Sequence, residues 1–233
     1  MAIPATVDGI DARWIADALG AAVVAIDVEP LGAGSHGQLA RVSVRYCEAG
    51  AGPSTVVVKL SREHEGRFYR ECGSVAGIRV PWCFRAQLGG DGSAALVLED
   101  LAGARSCKRS AGVTAADAEA VVDALADFHV TWWDSPHLDE LGWMPRRSSG
   151  DVRTVVHGSV RPESLFFDVD GGDVPVALVG WRAASLAPSG IADVVSFLRS
   201  SLDAAQLDRY GAALVMRYQE RLAAHGIAAR HLA

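Results

Sequence analysis

The sequence contains no apolar run of the roughly 18 residues that a membrane-spanning helix requires, so no such helix is expected in it. The opening segment, MAIPATVDGIDARW, has no basic stretch followed by an apolar one, so no secretory leader is expected. Lys and Arg total 22 against 28 acidic residues, a net charge of −6, and no basic block occurs. Nucleic acid and anionic membrane are therefore not expected as partners. The four cysteines (Cys47, Cys72, Cys83, Cys107) show no C-x-x-C spacing, which fits reduced, mostly buried thiols in a cytoplasmic protein. The stretch Leu31-Gly32-Ala33-Gly34-Ser35-His36-Gly37 lacks a closing Gly-Lys-Ser/Thr and is followed by a strand pattern rather than a helix. It is neither a P-loop nor a dinucleotide-binding fingerprint. The run Asp168–Asp173 lacks the glycine at loop position six and the closing glutamate of a calcium loop, and reads as turn chemistry.

What is present is a chain of 233 residues, half of them hydrophobic, enough for one domain or two small lobes. Asp11 to Leu19 has helical spacing, and Val23 to Val28 reads as a strand. The glycine-rich stretch then makes a turn into the alternating run Leu39–Tyr46. Val56-Val57-Val58-Lys59-Leu60 is a buried strand carrying one lysine. Such a lysine is costly without an acidic partner or an anionic ligand, unless it snorkels at a strand end. Gly89–Ser93 is a hairpin turn, and Ala95–Leu98 a strand that ends in Glu99-Asp100-Leu101. Thr114 is the N-cap of a helix whose buried stripe is Ala118, Val121, Val122, Leu125 and Phe128. His129, near its end, is expected to be a packing histidine. Leu202 to His225 is a long amphipathic helix with Leu207, Tyr210, Leu214, Tyr218 and Leu222 on one face and Gly226 as its stop.

The chain is organised around Val155 to Phe167, which reads VVHGSVRPESLFF. Apolar residues lead in and out of a polar loop. This stretch resembles the catalytic loop of the aminoglycoside/choline-type phosphotransferases, H-G-D-x-x-x-x-N followed by three hydrophobic residues. His157, Gly158, Leu165, Phe166 and Phe167 match. Ser159 stands where the family has its catalytic aspartate, and Ser164 where it has its metal-binding asparagine. Further on, Gly180 in Val176–Trp181 stands where the family has a magnesium-binding aspartate. Asp193 matches a family aspartate that braces the loop.

The resemblance implies a bilobal, protein-kinase-like α/β fold. Residues 1–100 would form a sheet-rich lobe and 101–233 a mainly helical lobe. It implies that Gly34 and Gly37 lie in a phosphate-covering turn, and that Lys59 pairs with Glu65, Glu71 being the second choice. Glu99 and Asp100 sit at a hinge, as adenine-proximal residues or as local caps. Arg161, Arg182 and Lys59 are candidate cations for a ligand between the lobes, with Trp181 beside them. Two segments are short against the family: the approach to the Glu65 helix, and Met144–Arg153, where relatives carry a helical insertion that walls the acceptor site.

Phosphoryl transfer needs positioning, metal-centred charge neutralisation and a carboxylate near the attacking hydroxyl. Neutral serines and a glycine supply none of these. The leading expectation is a pseudokinase that binds a small anionic ligand or a protein partner in the inter-lobe cleft. It needs no metal or cofactor, with ATP binding without metal as an option. A second reading is a rebuilt enzyme (a cyclase, lyase or isomerase) using His157, Glu99, Glu65 or Lys59 as acid/base groups. A third is a residual phosphotransferase helped by a neighbour such as Glu163 or Asp168.

Overall fold

The computed structural model describes residues 2–34, 37–106, 113–148 and 150–227. The Ser35-His36 turn tip and Cys107 lie outside them. The chain forms two compact units, Met1–Ser74 with Pro81–Leu101, and Val75–Val80 with Ala102–Ala233.

In the first unit, α1 (Ala12–Leu19) starts where the Asp11 carboxylate accepts from Trp14 N at 2.7 Å, and it ends at Gly20 in the left-handed region. Five antiparallel strands follow: β1 (Val23–Gly34), β2 (Gly37–Tyr46), β3 (Thr55–Arg62), β4 (Cys83–Leu88) and β5 (Ser93–Glu99), in the order β1-β2-β3-β5-β4. Helix α2 (Glu63–Glu71) follows β3 directly and packs on β4 and β5. Alternation on β2 and β3 turns Val42, Val44, Val56 and Val58 inward against Trp14 and Ile15 of α1. One expectation needs correcting. Leu31–Gly34, read as turn, continues β1, because it pairs with Leu39, Gln38 and Gly37 past an irregularity at Pro30/Gly32. A partner strand overrides the weak strand preference of glycine.

In the second unit, α3 (Ala115–Trp132) opens with a reciprocal cap: Thr114 Oγ1 accepts from Asp117 N, and Asp117 accepts from Thr114 N, both at 3.1 Å. Short strands β6 (Arg105–Ser106), β8 (Leu165–Val169) and β9 (Val174–Leu178) form one sheet, and β7 (Thr154–Val156) pairs with β10 (Ser185–Ala187). Helices α4 (Ile191–Ser201) and α5 (Ala204–Ala224) pack with α3. The inner face of α5 is Gly211, Leu214, Tyr218 and Leu222. Leu207, expected on that face, is exposed in the first turn of the helix. Arg217 and Arg221 tie α5 to Asp123 and Asp127 of α3, at 2.7 and 2.6 Å.

Among the described residues no helix is long and apolar enough to cross a membrane. Cys72 is buried, Cys83 partly so and Cys47 exposed. Burial pushes the thiols of Cys72 and Cys83 up to about 12, so neither is a thiolate nucleophile at neutral pH.

Candidate functional site

In the first unit, Lys59 Nζ lies 2.6 Å from Glu65 Oε1. Glu65 is fully buried, and Ser61 Oγ donates to its other oxygen at 2.5 Å. The short spacer suffices because α2 begins at the residue after β3, which sets Glu65 in the first helical turn, where the helix dipole favours a carboxylate. Glu71 bonds instead to Arg67 and Arg70. Removing one member of a buried pair would strand the other, so this ion pair is structurally constrained whatever else it does. Gly34 and Gly37 face each other across the end of the β1–β2 hairpin. Gly37 has φ +104°, and a Cβ there would sit 2.0 Å from Leu60 O. Close packing on β3 therefore requires glycine at this position.

The two carboxylates at the end of β5 are locally engaged. Glu99 Oε2 accepts from Trp82 N at 2.9 Å. Asp100 takes a two-pronged bond from Arg41, at 2.7 and 3.4 Å. Both side chains therefore take part in protein bonds within the first unit.

The second unit holds the polar loop. Asp193, 1% exposed, accepts from the backbone N–H of His157 at 2.6 Å and of Gly158 at 2.8 Å. His129 Nε2 lies 3.4 Å from the same carboxylate, and its Nδ1 is 2.9 Å from Tyr218 Oη. The consistent assignment has Tyr218 donating to Nδ1 and Nε2–H donating to Asp193. A polar line thus runs from α5 through α3 and α4 to the loop backbone. Burial alone would raise the Asp193 pKa. The His129 bond, the fields of His129 and His157 and the Gly158 N–H outweigh it and hold the carboxyl below its ordinary value. Burial, with the Asp193 charge, raises the Tyr218 phenol.

His157 is fully buried. Ser159 N donates to its Nδ1 at 3.2 Å, and its Nε2 is 3.0 Å from Val179 O. Both ring nitrogens are committed to backbone, leaving no proton or lone pair for an acid/base step. Trp181, expected beside a ligand, is also fully buried. Its ring packs on Phe128 and His157, and its N–H donates to Leu178 O at 3.1 Å. It offers no face to a ligand. Arg161, Glu163 and Arg182 are exposed, and Asp168 pairs with Arg105 at 2.8 Å.

A magnesium ion, implied by the fold family, needs hard oxygen ligands at fixed positions. The residues present do not fit it. Ser164 Oγ is spent within the loop, donating to Arg161 O at 2.7 Å and accepting from Arg161 N at 3.0 Å. Gly180 sits at φ +84° with open space where a side chain would be. Ser159 supplies only a neutral hydroxyl. Among the described residues, no group of three His, Cys, Asp or Glu could hold a metal ion.

Sequence reading missed Arg147. From the stretch before β7 it donates to Gly158 O and to Ser185 Oγ, both at 2.8 Å. Only the fold brings it to the loop; no motif marks it.

No protein-family model matches the sequence, and no curated protein matches it. The fold does have solved counterparts. The GDP complex of wild-type aminoglycoside 2'-phosphotransferase-IIIa is 12% identical at a TM-score of 0.58, over 90% of this chain and 82% of that one. The GDP and kanamycin complex of APH(2")-IIIa is 10% identical at a TM-score of 0.57, over 94% of this chain and 83% of that one. The structure of vaccinia related kinase 3 is a looser likeness, at a TM-score of 0.42 and 17% identity, and this chain spans 48% of its length. The chain therefore has a kinase-like fold of the aminoglycoside phosphotransferase type.

Proposed function

We propose that this kinase-fold chain transfers no phosphate and serves as a binding protein, holding a small anionic ligand or, failing that, a protein partner. The observation that carries the reading is the bonding of Ser164. At the position where the resembled family binds metal, the hydroxyl is closed onto its own loop, while Gly180 and Ser159 add no charged oxygen. Metal-centred charge stabilisation is worth several kcal/mol of barrier, and each ~1.4 kcal/mol is tenfold in rate. Meanwhile the Lys59–Glu65 pair and the Asp193 brace are intact. A frame without its reactive oxygens is the pattern expected of a pseudokinase.

The rebuilt-enzyme alternative draws less support. Its candidates His157, Glu99, Glu65 and Lys59 are all engaged in protein bonds.

The test is turnover of γ-labelled ATP with magnesium, offered water, aminoglycosides and small alcohols as acceptors. The expected result is no transfer above the protein-free rate. Magnesium-dependent transfer that survives repurification would overturn the reading.

A further inference from the structure

We infer that Arg147 makes the degenerate loop of the second unit a metal-free oxyanion site, suited to the phosphate or carboxylate group of a small metabolite. The inference rests on the reading above that this loop no longer transfers phosphate.

Arg147 is held on a rigid strip. Its N–H donates to Leu186 O at 2.9 Å, and Leu186 N donates back to Pro145 O at 2.8 Å, so residues 145–147 run along β10. Its side chain is pinned as well, by the buried Ser185 hydroxyl through Nε and by the Gly158 carbonyl through Nη2. Gly158 permits this approach. At φ +83°, a Cβ there would lie 2.3 Å from both Arg147 Nη2 and Ala183 O. Any other residue would push the guanidinium off the loop.

The charge of this guanidinium is not neutralised by those bonds. Other arginines of the second unit hold carboxylates: Arg105 holds Asp117 and Asp168, and Arg153 holds Asp134 at 2.6 Å. Both bonded partners of Arg147 are neutral, and among the described residues no carboxylate pairs with it. A guanidinium has five N–H donors; two are used here, and the residue is exposed. The next loop residue is Ser159, where a family aspartate would have supplied the missing negative charge. Arg161, two residues on in the same loop, is also exposed. An ordered arginine with free donors, bonded to a loop whose neighbouring position 159 carries no acid, can take a planar carboxylate or a tetrahedral phosphate directly. Its immobility lowers the entropic cost of doing so.

The experiment is an amide NMR titration of the full chain in EDTA, with inorganic phosphate in one arm and malonate in another. Sodium chloride at matched ionic strength is the control. The expected result is a saturable shift of the Gly158 and Ser159 amides with at least one oxyanion and not with chloride. Saturation by phosphate alone assigns a phosphate-bearing ligand, and by malonate alone a carboxylate. Arg147→Gln is expected to weaken binding about tenfold or more, the scale of one charge-assisted bond. Arg209→Gln, exposed on α5, is expected to change nothing. If Arg147→Gln fails to fold, Arg147→Lys decides. Weaker binding there supports the two-donor site, and undiminished binding overturns it. Absence of a saturable shift with either anion, or equal affinity in Arg147→Gln, would also overturn it. Those failures leave the ATP turnover result standing, whereas ATP turnover would undercut both readings.

Discussion

At the residue scale the second unit depends most on Asp193. One carboxylate satisfies two loop N–H groups and a histidine in a site closed to water. Deleting one partner of such a buried charged network costs about 3–5 kcal/mol. Asp193→Ala should therefore lower the unfolding free energy by that order in urea titrations. A loss under about 1 kcal/mol would mean that the brace is slack. The acid limb carries the same signature. Because the folded pKa is depressed, the stabilisation is complete above the unfolded aspartate value of about 3.9 and is lost as pH falls through the lower folded value. Asp193→Asn should flatten this part of the stability–pH curve. Sequence pattern exposed this residue because it lies at a fixed place in a helix after the loop. It could not reveal that His129 and Tyr218 extend the network, since those bonds join residues 64 and 89 positions apart.

At the element scale the helix ends were legible and the glycine-rich hairpin was not. Thr114, read as an N-cap, caps its helix through its own side chain, and capping is a local interaction that sequence displays directly; the caps at Asp11 and Asp203 are of the same kind but were not read. The course of β1 past Pro30 is set by its partner strand, which local preference cannot report. The same hairpin gives a sharp prediction. Gly37→Ala would incur both an unfavourable backbone angle, about 1–3 kcal/mol, and a collision with Leu60 O. Gly20→Ala has a positive φ but open space and should incur only the backbone part. Chemical denaturation of the two variants should show the Gly37 change to be clearly the larger. Equal losses would refute the close β2–β3 approach.

For the molecule as a whole, each unit closes its own core, and the fold is kinase-like despite identities of 10–12% to the aminoglycoside phosphotransferases compared. The fold was readable because HG, the apolar triplet after it, the strand lysine, the helix glutamate and Asp193 occur in one order at workable spacings. The serines at 159 and 164 and the glycine at 180 were equally plain. The local engagement of Ser164, Glu99 and Trp181 was not, since a one-letter sequence carries no hydrogen bonds. The central claim is that the loop has lost its hold on a divalent ion. The most direct test replaces magnesium with paramagnetic manganese in the presence of ATP and follows line broadening of the loop amides. The account predicts no selective broadening at Ser159, Ser164 or Gly180. Selective broadening there that EDTA reverses would contradict it.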